Sequence, residues 1–173
     1  QLFFTSGDRR ELWRTDGIET ERISGTVISH LWDMKPVAGG IYFFGASEHH
    51  YGLWKWNGTP GTIAEPVTSL GRLDGNSLPD SYQTMRNYLY FRAPNPSNLR
   101  QQIWRTDGTS EGTIQITNLA PPSSIYLRLS VIRDSLLIFS ADNTSTGTEP
   151  WVSNGLPGQE SMIVNTQPGA EGS

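Results

Sequence analysis

The sequence predicts an all-β chain built from a repeated blade, on three observations. One phrase is written four times: ELWRTDG from Glu11, GLWKWNG from Gly52, QIWRTDG from Gln102 and EPWVSNG from Glu149. Each copy follows a second apolar run: LFF at Leu2, IYFF at Ile41, LYF at Leu89 and LLIF at Leu136. In a chain of 173 residues, 18 Gly and 11 Pro interrupt every long stretch, and no window carries a 3.6-residue apolar period. The phrase tryptophans Trp13, Trp54, Trp104 and Trp151 are spaced by 41, 50 and 47 residues. Periods in that range with about four strands per unit are the signature of propeller blades. The expected fold is therefore all-β and β-propeller-like, with four blades of about four antiparallel strands.

Lettering the strands a to d from the blade's inner edge, the first unit (about 1–27) opens on strand b at LFF and continues into strand c at ELWRT. The second (28–68) places strand a at 30–37, an Ala-Gly-Gly turn, b at 41–46, c at 52–56 and d at 62–68. The third (81–117) has a at 82–86 turning at Arg86-Asn87, b at 88–93, c at 102–106 after the polar loop PNPSNLR, and d at 113–117. The fourth (125–165) has a at 125–132, b at 136–141, c at 148–153 and d at 161–165. After each strand c stands Asp16-Gly17, Asn57-Gly58, Asp107-Gly108 or Asn154-Gly155, a strong hairpin-turn signal because these residues tolerate positive φ.

Three strands a thus serve four sets of b, c and d, and the first blade lacks its innermost strand. An open inner edge leaves unpaired backbone groups, so residues 1–173 are expected to form a single propeller domain or a segment of one. The ring would be completed by a longer chain or by an oligomer.

The units resemble the ELWxxDGT repeat, found in tandem in large secreted or surface proteins of bacteria. ELWRTDG at Glu11, IWRTDGTSEGTIQI at Ile103 and WNGTPGTIAEPV at Trp56 carry the resemblance, and NTQPGAEGS at Asn165 is similar to the repeat's Pro-Gly crossover. The fourth unit departs with Pro150 and Ser-Asn-Gly, the first with Ile18-Glu19. The resemblance implies a β-propeller-like fold and a secreted or cell-surface location, and it implies no catalytic set.

A formal net charge of -4, with 17% charged residues and no basic cluster, argues against nucleic acid as a partner. Without cysteine there is neither a disulfide framework nor a thiolate metal site. No apolar run is long enough to span a bilayer as a helix.

The recurring residues Trp13, Trp54, Trp104, Trp151, Asp16, Gly17, Gly58, Asp107, Gly108 and Gly155 read as the devices that make a blade, the tryptophans packing one blade on the next. Their neighbours Arg14, Lys55 and Arg105 fall on the opposite strand face and read as solvent or inter-strand charges. Trp56 lies outside the repeated position, in the expected c-d turn, where an exposed aromatic would stack a sugar or anchor a protein, although packing is the favoured reading. His49, His50 and Tyr51 in the second b-c loop, Arg72, Asp74 and Asn76 in a d-a crossover, and Asp142 and Asn143 in the fourth b-c loop are the candidate ligand residues.

Adjacent histidines on one loop chelate a metal poorly, so no metal site is expected. Calcium is the open alternative, because Asp142-Asn143-Thr144-Ser145 and Asp74-Gly75-Asn76 are oxygen-rich but lack the acidic spacing of a dedicated loop. With no nucleophile elbow in the sequence, no enzyme and no cofactor are expected. The functional expectation is an extracellular recognition module for glycan or protein, of adhesive type, using the b-c and d-a loops. The alternative is a structural segment of a larger bacterial surface or membrane-associated assembly.

Overall fold

The computed structural model describes residues 1–7, 11–23, 30–37, 40–48, 50–70, 80–119, 125, 129–143 and 146–165. Among them there is no helix. The strands form four antiparallel sheets, each a meander of neighbours in sequence, as the propeller-like expectation requires.

Sheet 1 holds β1 (Leu2–Ser6), β2 (Glu11–Thr15) and β3 (Thr20–Arg22). Sheet 2 holds β4 (His30–Val37), β5 (Gly40–Ala46), β6 (Tyr51–Trp56) and β7 (Glu65–Ser69). Sheet 3 holds β8 (Asp80–Met85), β9 (Tyr88–Pro94), β10 (Gln101–Thr106) and β11 (Ile114–Gln115). Sheet 4 holds β12 (Ser130–Ile132), β13 (Leu136–Asn143), β14 (Gly147–Ser153) and β15 (Glu160–Met162). Among the described residues the first sheet is the three-stranded one, as expected.

The chain divides into two compact units, Gln1–Arg72 with sheets 1 and 2, and Leu73–Ser173 with sheets 3 and 4. Each has its own core. In the first, Leu12 and Ile23 of sheet 1 pack with Leu31, Ile41, Phe43, Trp54 and Trp56 of sheet 2. In the second, Met85, Tyr90, Ile103 and Ile116 of sheet 3 pack with Leu137, Phe139 and Ala141 of sheet 4, Trp151 lying partly buried against them.

Alternation along the strands explains who faces whom, because residues paired across a sheet share a face. In the phrase, Leu12 and Arg14 point one way and Trp13 the other. Phe43 opposite Trp54 and Ile41 opposite Trp56 make the second sheet's core face. The Leu/Arg face of one sheet therefore meets the Trp face of the next.

The turns differ from the expected two-residue hairpins. Strand c and strand d are separated by longer loops, Thr15 to Thr20 in sheet 1 and Thr106 to Ile114 in sheet 3, and among the four Asx-Gly pairs only the glycines have positive φ. The side chains explain why. The Asx oxygen accepts from the amide two residues on: Ile18 N to Asp16 at 2.9 Å, Thr59 N to Asn57 at 2.9 Å, Thr109 N to Asp107 at 2.9 Å, and Leu156 N to Asn154 at 2.9 Å. The preceding hydroxyl accepts from the glycine amide in three of them: Gly17 to Thr15, Gly108 to Thr106 and Gly155 to Ser153. This is an Asx turn ending the strand, not a type I′ hairpin.

The type I′ signature appears instead between β12 and β13. There Arg133 and Asp134 have φ of 51° and 50°, and Ser135 N donates to Ile132 O at 3.1 Å.

Candidate functional site

The candidate ligand residues do not converge. Arg72, Asp74, Asn76 and His49 lie outside the described residues. His50 and Tyr51 stand at the start of β6 and Trp56 at its end, which separates them by about 17 Å of extended chain.

Trp56 bears out the packing reading and corrects only its placement in a turn. It is a strand residue with no exposed surface, its indole N–H donates to Thr62 O at 3.2 Å, and Phe3 packs on it edge-on at 5.9 Å. Both its ring and its N–H are used inside the first unit. Asp142 and Asn143 were also expected on a loop, but β13 extends through them, pairing Asp142 with Thr148 and Asn143 with Gly147. Both are therefore strand residues of β13 and not loop residues.

His50 is half-buried and ordered by its neighbour: its amide donates to Ser47 Oγ at 3.1 Å, and its carbonyl accepts from Ser47 N at 2.7 Å. Its ring meets Trp54 edge-on at 5.0 Å. Burial holds its pKa below the ordinary histidine value, against the backbone of Leu53 and Thr68, which favours the charged form. Tyr51 is half-buried, and its carbonyl accepts from Ser69 Oγ at 3.3 Å.

Of the two readings of the phrase arginines, solvent or inter-strand charges, Arg14 takes the second, on the expected face. Arg14 is buried, not solvent-facing: it pairs with Glu21, and its guanidinium lies 5.4 Å from the Trp56 ring centroid. Arg105 reaches from sheet 3 to sheet 4, donating to Gly155 O at 3.1 Å while stacking 4.4 Å over Tyr88. Tyr90, whose phenol burial pushes above its ordinary range, donates to the same carbonyl at 3.3 Å. The period-2 pattern that put these arginines on the leucine face was the available signal.

A backbone device repeats beside them. Ile23 N donates to Leu12 O at 2.8 Å, and Ile23 O accepts from Ala64 N of sheet 2 at 3.1 Å. In the second unit Ile116 N donates to Ile103 O at 2.7 Å, and Ile116 O accepts from Gly158 N of sheet 4 at 2.9 Å.

A scan against models of known protein families finds no match, and a search of curated proteins finds none either.

On two sheet faces, apolar side chains stand exposed or half-buried. On sheet 1, Leu2 is 63% exposed, and Phe4 and Trp13 beside it are half-buried. Trp13 donates to Glu11 at 3.2 Å, and that carboxylate, also bound by Ser6 and Arg22, is held below its ordinary pKa by those bonds, Ser6's first. On sheet 4, Ile132 and Leu136 are exposed, and Ile138, Pro150 and Val152 are half-buried.

Proposed function

We propose that this chain is a non-catalytic interaction module that works by packing its sheets into a larger protein assembly. One observation carries the reading. Among the described residues β1 pairs with β2 alone, whereas β5, β9 and β13 are each paired on both sides. Strand b of the first sheet thus offers an open row of backbone donors and acceptors, a template for an added strand. The apolar residues beside it, Leu2, Phe4 and Trp13, supply side-chain area to the same contact.

The resemblance to ELWxxDGT repeats supports an assembly in the secreted space or at a bacterial cell surface. The burial of Trp56 weakens the competing reading of a glycan site, because it removes the tryptophan that reading had named as a stacking platform.

A photo-crosslinking residue at Leu2, in material isolated with its native surroundings, tests the proposal. It is expected to yield a stoichiometric protein adduct, while glycan arrays stay blank. Glycan binding by a chain that crosslinks to no protein overturns it.

A further inference from the structure

The turn after β6 differs from its three counterparts by one hydrogen bond, and that bond guards a reactive peptide linkage. In an Asn-Gly pair the glycine amide nitrogen is the neighbour of the asparagine side-chain carbonyl, and no Cβ shields it. At Gly17, Gly108 and Gly155 that amide donates to the hydroxyl of Thr15, Thr106 or Ser153. The residue in the same place of sheet 2 is Trp56, whose indole N–H can only donate. Among the described residues no acceptor takes the Gly58 amide.

Two of the four turns carry asparagine, so the chain contains its own comparison. Thr59 N donates to Asn57 Oδ1 at 2.9 Å, and Leu156 N donates to Asn154 Oδ1 at 2.9 Å. Each bond draws electron density from Cγ and takes up charge that develops on Oδ1 when a nucleophile adds. The two pairs are thus alike at the electrophile and differ at the nucleophile. Gly155 is buried, its amide is held by Ser153 and its carbonyl by Tyr90 and Arg105. Asn57 is exposed, and Gly58 is half-buried with its amide unclaimed.

We infer that Asn57 is a site of spontaneous deamidation in the folded chain, with water as the co-reactant, and that Asn154 is protected. The Gly58 amide nitrogen gives its proton to water or hydroxide and attacks Asn57 Cγ. A C–N bond forms, the Cγ–Nδ2 bond breaks, and ammonia leaves with a proton taken from water. Water then opens the cyclic imide at Cγ, giving aspartate, or at the main-chain carbonyl carbon of residue 57, giving isoaspartate. No electrons are gained or lost. Aspartate is the residue that the first and third turns already use, so that product keeps the turn. Isoaspartate inserts a methylene into the main chain and leaves no side-chain oxygen in register for the Thr59 amide. The modification is independent of the assembly reading above.

Peptide mapping by mass spectrometry, on the full chain kept folded in warm, mildly alkaline buffer, tests it. The peptide holding Asn57 is expected to gain the mass of amide-to-acid conversion as an aspartate and isoaspartate mixture, and Asn57→Asp should remove the gain. Each rate is divided by the rate of the same site in urea, which cancels the effect of the neighbouring letters. That ratio should be at least about tenfold larger at Asn57 than at Asn154, because the Gly155 amide must first give up its bond. Ser153→Ala frees that amide and should speed conversion at Asn154. Equal ratios at the two sites, no conversion of Asn57 in the folded chain, or a folded Ser153→Ala chain with Asn154 unchanged would each overturn the inference. The comparison within the wild type needs no variant, so it decides the matter even if Ser153→Ala does not fold.

Discussion

At the scale of single residues, two side-chain environments lead to measurable outcomes. The His50 Nε2 atom is buried and has no hydrogen-bond partner among the described residues, and its ring packs on Trp54. Burial lowers its pKa in the folded state, so the unfolded chain binds the proton more readily. Stability from this group is therefore fully present above the ordinary histidine pKa and is lost as pH falls below it. Urea midpoints measured from about pH 7.5 down to about pH 5 should drop more for the wild type than for His50→Gln, in which nothing titrates at this site. Equal drops would show that the ring is not the cause. Gly155 is a steric case: its φ is 81°, and a Cβ there would run into the Tyr90 hydroxyl and the Met85 methyl. Gly155→Ala should cost roughly 2 kcal/mol or more in chemical denaturation, combining backbone strain with overpacking.

At the scale of elements, the phrase is a strand with its terminator, and this explains which letters vary. Asp and Asn interchange because the bond common to all four turns, at Asp16, Asn57, Asp107 and Asn154, goes to Oδ1, an acceptor that both residues carry. Asp107→Asn should accordingly leave stability nearly unchanged. Asp107→Ala should cost about 1 kcal/mol by freeing the amide and hydroxyl of Thr109, both of which Asp107 holds. A denaturation series separates the two, and an equal loss in both variants would mean that the carboxylate charge matters rather than the acceptor. Much of this level was legible beforehand. β4 runs over 30–37 as expected, and strands b and c fall within two residues of their expected bounds, because apolar runs and the phrase mark them directly. Strands d were read too long, since β11 is two residues and β15 three. Ile116 continues past β11 to bond back to Ile103, so the apolar letters that suggested a strand serve the sheet-to-sheet contact instead. The break at 133–135 was legible from the strand bounds on either side, but not its type I′ form, because Arg133 carries no positive-φ signal. Trp56 was misread for a related reason: unlike Thr15, Thr106 and Ser153 it has no hydroxyl for the turn glycine, so it looked like a loop residue, while its N–H bonds to Thr62 O.

At the scale of the whole molecule, equivalent letters acquire different weights from their place in the array. Ile23, Ile116 and Ile163 make the same backbone bond, to Leu12, Ile103 and Pro150, and a reading of the repeat alone would assign them the same role. The covered pair has lost its side chains to a core, and the third has not. Truncating a buried isoleucine removes transfer energy and leaves a cavity, so Ile23→Ala and Ile116→Ala should each cost about 2–4 kcal/mol. Ile163→Ala should fall within about 0.5 kcal/mol of wild type, the ordinary range for an exposed position. Denaturation midpoints of the three variants check this, and a large cost at Ile163 would mean that its side chain is packed as the other two are.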